Sequence, residues 1–224
     1  MIPVSAADEL TFADFCMAQN QGLVKQLMEM VQGRGTNQVL FMWGQSGSGK
    51  THLLNACCDL AKSTNHPFVF VSADNMQAEL ITASDVADGT VFCVDNLEHI
   101  AGKADAAVAL LSWYEQTLSG KGCMIVAASK PLEKIALGIA DLTSRLSAGG
   151  SYYIEPMDES DRRMALKLRA HQRGFELGDS VLDYIMSRFE RDTASLFSIL
   201  DRIDSASLSH HRKVTIPFVR QLLG

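Results

Sequence analysis

The sequence is poor in several features that would narrow function from composition alone. Its five cysteines, Cys16, Cys57, Cys58, Cys93 and Cys123, show no CxxC spacing and no accompanying histidine cluster. That argues against a zinc site and for a reduced, cytoplasmic setting. No signal peptide opens the chain and no apolar run approaches about 18 residues, so neither export nor a membrane span is expected. Positive charge is in deficit: 26 acidic against 20 basic residues give a net charge of −6. Nucleic-acid binding would therefore need a local basic patch, since the whole molecule does not attract a polyanion. Repeats and low-complexity tracts are absent. What remains is an ordinary soluble chain of 224 residues, 47% apolar, long enough for one α/β domain and a small second one.

The positive signal is Gly44-Gln45-Ser46-Gly47-Ser48-Gly49-Lys50-Thr51, which follows the apolar run Val39-Leu40-Phe41-Met42-Trp43 and precedes Leu53-Leu54. GxxxxGKT requires backbone N–H groups turned inward around a phosphate, which needs glycines free to take positive φ. It also requires a lysine on the β- and γ-oxygens and a hydroxyl on Mg²⁺. A buried strand enters the loop, and the helix that leaves it presents its positive N-terminal end to the phosphate. Nucleotide phosphate binding is the expectation.

Around that loop the chain alternates. Helices are expected over 21–31, 50–63 and 105–118, and strands over 39–43, 68–72, 91–95, 124–129 and 152–154. Strands apolar over their whole length and alternating with helices predict a parallel sheet covered on both faces, with polar side chains at strand C-termini on the ligand side. Before the first strand, Phe12 and Phe15 either cover a nucleotide base or plug the edge of the core, and residue type favours the plug.

Two strand ends carry chemistry. Asp95 closes an apolar strand, where a carboxylate can reach the Mg²⁺ shell opposite Thr51. Asn96 follows, at a position where a second carboxylate would polarise water; an asparagine orients water but takes no proton. Glu98 is a substitute only if it leaves the solvent that a loop glutamate normally faces. Slow turnover is therefore expected. Ser129 either reports on the terminal phosphate or attacking water, or simply starts the turn before Lys130-Pro131.

From Pro156 the pattern is purely helical, with a cap at Asp158 and helices over 162–173, 179–189, 193–208 and after Pro217. Domains of 1–155 and 156–224 follow. Arg162, Arg163, Lys167, Arg169 and Arg173 lie on the first of these helices, an arrangement more typical of a solvated face than of a nucleic-acid patch. His210-His211 reads as surface.

Together, GQSGSGKT, the strand ending Asp95-Asn96, Ser129-Lys130-Pro131, the Leu142-Thr143-Ser144-Arg145-Leu146 box and the tail with Leu200-Asp201 and Lys213-Val214-Thr215-Ile216-Pro217 resemble AAA+ ATPases of the DnaA type. The resemblance runs from Thr11 to the end. Within that family the chain is most similar to DnaA-homologous regulators that, with the DNA polymerase sliding clamp, promote hydrolysis of ATP bound to the DnaA initiator and so prevent reinitiation. The resemblance implies an AAA+ core with a helical lid, ADP or ATP with Mg²⁺ as ligand, and self-association as an option; Asn96 and Ala194 add the expectations of weak or no ATPase and of the diphosphate as the retained form. It also implies that residues 11–20 lie near the base and that Arg145 is an arginine finger acting in a neighbouring subunit. Without the resemblance, Arg145 reads as a helix-surface arginine paired with Asp141.

Three departures from the family pattern stand out. The lid arginine that senses the γ-phosphate is replaced by Ala194, with Arg191 three residues earlier. The clamp-binding peptide is not evident in Met1 to Leu10. No helix-turn-helix domain follows the lid, so sequence-specific DNA binding by this chain alone is not expected. Two other classes share most motifs: a helicase-loading replication ATPase, and a P-loop small-molecule kinase. The kinase is disfavoured because such enzymes generally insert their lids within the core.

Overall fold

Successive strand residues point to opposite faces, and in this chain both sets are apolar. The computed structural model describes residues 10–75, 86–120, 122–189, 193–210 and 214–223. Strands β1 (Val39–Trp43), β2 (Phe68–Ser72), β3 (Val91–Asp95), β4 (Cys123–Ala128) and β5 (Ser151–Tyr153) pair in parallel in the order β2-β3-β4-β1-β5. Leu40, Met42, Cys93, Ile125 and Ala127 face helices α1 (Gln21–Val31) and α2 (Lys50–Ser63). Val39, Phe41, Phe92, Val94, Met124 and Val126 face α3 (Ala104–Ser119) and α4 (Ala140–Ala148). Every β4 residue is buried, as the near-continuous apolar run of a doubly covered central strand requires. Each fully buried Leu, Ile or Phe contributes about 1.5–3 kcal/mol of transfer free energy.

The structure departs from the sequence expectations at element bounds. The helix α4 was not among the expected elements, although one reading of Arg145 put it on a helix surface. The strands expected at 124–129 and 152–154 each begin and end one residue earlier. Phe12 and Phe15 are core side chains, each 7% exposed, as the plug reading expects.

Gly149, just beyond α4, has an ordinary φ of −76°, so its requirement is for space and not for conformation. A Cβ there would lie 2.4 Å from the Val39 carbonyl oxygen and 2.8 Å from its carbon. Backbone cannot swing aside, so Gly149→Ala is expected to lower stability by about 1–3 kcal/mol. A urea midpoint equal to that of the parent would contradict this.

The chain divides into two compact units, one running to Gln45 and from Gly49 to Glu155, the other comprising Ser46–Ser48 and the residues from Pro156 on. In the second, α5 (Glu159–Gln172) starts at a capping box in which the Asp158 carboxylate accepts from Asp161 N–H at 2.8 Å. That bond holds the Asp158 carboxyl below the usual range. With α6 (Asp179–Arg188), α7 (Thr193–His210) and α8 (Ile216–Leu223) it encloses Leu166, Leu182, Ile185, Leu196, Leu200, Ile203 and Val219.

Candidate functional site

The order β3-β4-β1 brings three strand C-termini side by side, with Trp43 level with Ala128 and Val94 level with Val126. The chain leaves β1 towards the far strand β2, and this reversal of strand order opens the crevice where α/β folds take ligands. Gly44 N–H donates to the Ala128 carbonyl at 3.2 Å, tying the loop's entry to β4. Gly47 and Gly49 take φ of +75° and +95°. At Gly49 a Cβ would also lie 2.6 Å from the Phe15 ring, which packs edge-on against His52 at 5.4 Å. The core plug thus buttresses the loop from beneath, a role its spacing from the loop in sequence did not suggest.

Lys50 begins α2, is 8% exposed and donates from Nζ to the Gly44 and Gln45 carbonyls, each at 2.8 Å. Burial pulls its pKa down, while Asp95 and Glu98 oppose that shift. Ser48 Oγ is buried and has no hydrogen-bond partner. Thr51 Oγ1 donates to Asp95 Oδ2 at 2.6 Å, across the end of β4. Loop amides, an ammonium and an orphan hydroxyl form a donor set suited to polyphosphate. The Thr51 and Asp95 oxygens suit a hard divalent cation. The structure thus brings together Gly44, Gln45, Ser46, Gly47, Ser48, Gly49, Lys50, Thr51 and Asp95.

The groups that would handle attacking water are engaged elsewhere. Asn96 has φ +55°, in the left-handed region that asparagine tolerates. Its amide donates to Ser72 Oγ at 3.1 Å and Asp74 Oδ2 at 2.9 Å. Asp74 also pairs with His99, and the Ser72 hydroxyl is the leading cause holding its carboxyl below the ordinary range. Glu98 is not simply solvated: its Oε2 accepts from Ser129 N–H at 3.0 Å. Burial raises the Glu98 pKa, but hydrogen bonds from Ser129 and from its own backbone outweigh it, so the carboxyl titrates below the usual range. Two residues read separately in the sequence, Glu98 and Ser129, thus form one contact between the β3 and β4 ends. Neither periodicity nor spacing carries a signal for it.

Arg145 lies on α4, away from the loop residues in its contacts. Its Nε donates to Asp141 Oδ2 at 2.8 Å, NH1 lies 3.5 Å from Glu115 Oε1, and Cζ stands 5.4 Å from the Tyr114 ring centre. The pairing with Asp141 expected of a helix-surface arginine is therefore present. On this helix Leu142 and Leu146 bury at i and i+4 while Asp141 and Arg145 pair at the same spacing.

The lid cations are committed within the lid. Arg163 pairs with Asp183 at 2.6 Å, Lys167 with Asp179 at 2.6 Å and Arg173 with Asp201 at 2.6 Å, while Arg169 stacks on Phe197. Arg162 donates to the Met157 carbonyl. A basic stripe offered to nucleic acid does not emerge from these five. Arg191, His211, Lys213 and residues 1–9 lie outside the described residues, as do the side chains of Ala194 and His210. No helix among the described residues is long and apolar enough to cross a membrane.

Residues 7–152 match the family described as the bacterial DnaA ATPase domain, and residues 158–223 match that of the Hda lid domain. Among solved structures the chain is similar to domain III of the replication initiation protein DnaA from Thermotoga maritima, with TM-score 0.80, 18% identity and coverage of 97% of this chain and 96% of that one. It is similar to AMPPCP-bound DnaA from Aquifex aeolicus, with TM-score 0.72, 20% identity and coverage of 91% and 67%. RuvB from Thermotoga maritima shares the fold at TM-score 0.66 and 14% identity, over 91% and 67% of the two chains. A DnaA-family nucleotide unit over nearly two-thirds of the sequence decides the matter: the chain belongs to the family of bacterial DnaA ATPase domains.

Proposed function

We propose that the chain is a nucleotide-binding AAA+ regulator that, with the DNA polymerase sliding clamp, stimulates hydrolysis of ATP bound to a DnaA-type initiator and so represses reinitiation of replication. One observation carries the reading: a DnaA-type unit is followed by a lid of the Hda description. On this reading residues 1–155 form the nucleotide-binding core and 156–224 the lid. The loop Gly44 to Thr51 holds ADP or ATP, as a related DnaA holds AMPPCP, and Thr51 with Asp95 holds Mg²⁺. Bound Mg²⁺ neutralises charge on the terminal phosphates.

The chain's own turnover is weak because its candidate water-handling groups have other partners. Asn96 spends its amide on Ser72 and Asp74, and Glu98 holds Ser129 N–H. Ser129, whose side chain and N–H both bond Glu98, would have to exchange its hydroxyl from that carboxylate to a terminal phosphate or water. Arg145 supplies its guanidinium to the initiator's site in trans, and self-association would use the same donor.

The test is single-turnover hydrolysis of initiator-bound ATP, with clamp loaded on DNA and this protein in excess. Acceleration that requires both clamp and protein is expected. Unchanged hydrolysis would overturn the proposal. Salt-sensitive binding to single-stranded DNA, coupled to ATP turnover by this chain, would favour helicase loading instead; a related DnaA has been solved with single-stranded DNA.

A further inference from the structure

Arg145 is held at two well-defined points. Asp141, one turn earlier on the same helix face, takes the Nε–H at 2.8 Å, the donor on the stem side of the guanidinium. Tyr114, buried at 9% exposure on α3, puts its ring 5.4 Å from Cζ and so fixes one face of the plane. Glu115 approaches NH1 only to 3.5 Å, longer than a normal N–H···O bond, and acts as a neighbouring charge. No hydrogen bond from the NH2 group to another described residue is present. An arginine side chain has many rotamers, and a fork with one edge and one face already fixed loses less freedom on meeting a phosphoryl group.

Resting on the reading of Arg145 as a residue that acts in a partner's site, we infer that Asp141 and Tyr114 are positioning residues. They orient the guanidinium so that its terminal N–H groups are left for the partner's phosphoryl oxygens. Asp141 fixes the Nε edge and Tyr114 fixes the tilt.

The test uses the full chain in single-turnover hydrolysis of initiator-bound ATP with clamp on DNA, each variant titrated to saturation. Asp141→Ala is expected to lower the plateau rate by about 10- to 100-fold, the scale of a small misplacement of a catalytic group, with the half-saturating concentration unchanged. Asp141→Asn keeps an oxygen that accepts from Nε–H and should restore most of the rate. Tyr114→Phe should behave as wild type and Tyr114→Leu should lower the plateau. A merely structural role would instead raise the half-saturating concentration and lower the melting temperature, with no rescue by asparagine, and would overturn the inference. A plateau that is unchanged or increased in Asp141→Ala would also overturn it, the increase meaning that the carboxylate restrains the arginine. Arg145→Ala is run alongside. If it retains wild-type stimulation, the reading of Arg145 fails and takes this inference with it. If it loses stimulation while Asp141→Ala does not, only the positioning role fails.

Discussion

Lys50→Ala is expected to strip the protein of its nucleotide. The wild-type chain should carry a nucleoside diphosphate through purification, released on denaturation, whereas the variant should release none. The only loop side chain with positive charge is Lys50, and its ammonium is buried on two neutral carbonyls, Gly44 and Gln45. Burial costs that charge enough to lower its pKa, so a phosphate oxygen is a better partner than either carbonyl. Losing one member of a buried, hydrogen-bonded charge pair costs about 2–5 kcal/mol, roughly 30- to several-thousand-fold in Kd. Retention of the diphosphate is expected from the groups that would meet a third phosphate. Asn96 is committed to Ser72 and Asp74, and the family resemblance implies Ala194 at the position of a lid arginine. Chromatography of released nucleotide and a titration with ADP read both points, with a thermal melt to confirm that the variant is folded. Undiminished ADP affinity would move the phosphate site elsewhere, and triphosphate released from the wild type would overturn the diphosphate preference.

The parts legible in advance were those governed by local rules. GxxxxGKT needs its glycines and lysine in order, and β1, β2, β3 and α2 fall where apolar runs and loop chemistry put them. The Asp158 cap and the α6 start were legible for the same reason. The α4 helix spans only nine residues, too short for its Leu142 and Leu146 spacing to stand out, and only the pairing of Arg145 with Asp141 pointed to it. The other misses are long-range. Glu98 meets Ser129 across 31 positions and Asn96 meets Asp74 across 22; a sheet order that places β4 between β1 and β3 is what makes the first possible. Phe15 under Gly49 is of the same kind, since sequence type identified a core aromatic but nothing local pointed to its neighbour.

The commitments of Asn96 and Glu98 bear on where catalytic power is supplied. Each has its hydrogen-bonding capacity drawn into holding the ends of β2, β3 and β4 together. On the proposed function, a site built this way holds the nucleotide while leaving water activation weak. On that proposal an arginine supplied in trans is the chain's main chemical contribution, and Arg145 is the residue to test.

Arg145→Ala is expected to leave this protein's fold and its own nucleotide affinity nearly unchanged while abolishing its effect on a partner. Its contacts are Asp141, Glu115 and the Tyr114 ring, none of them in the phosphate loop, and the two carboxylates released are largely exposed, at 53% and 62%. The partner's reaction is different. Arginine fingers stabilise charge on a transferring phosphoryl group and contribute about 10³ to 10⁵ in rate, so stimulated hydrolysis of initiator-bound ATP should fall towards the unassisted level. Arg145→Lys should recover little: an ammonium lacks the planar fork that spans two oxygens, and it has no counterpart of the Nε–H that Asp141 holds. The measurement is single-turnover hydrolysis with clamp loaded on DNA and protein in excess, paired with ADP affinity and a thermal melt of each variant. Stimulation near wild type by the alanine variant would remove Arg145 from the mechanism. Loss of ADP binding in parallel would assign it to this chain's own site instead, because an arginine that works in trans has no phosphate of its own to release.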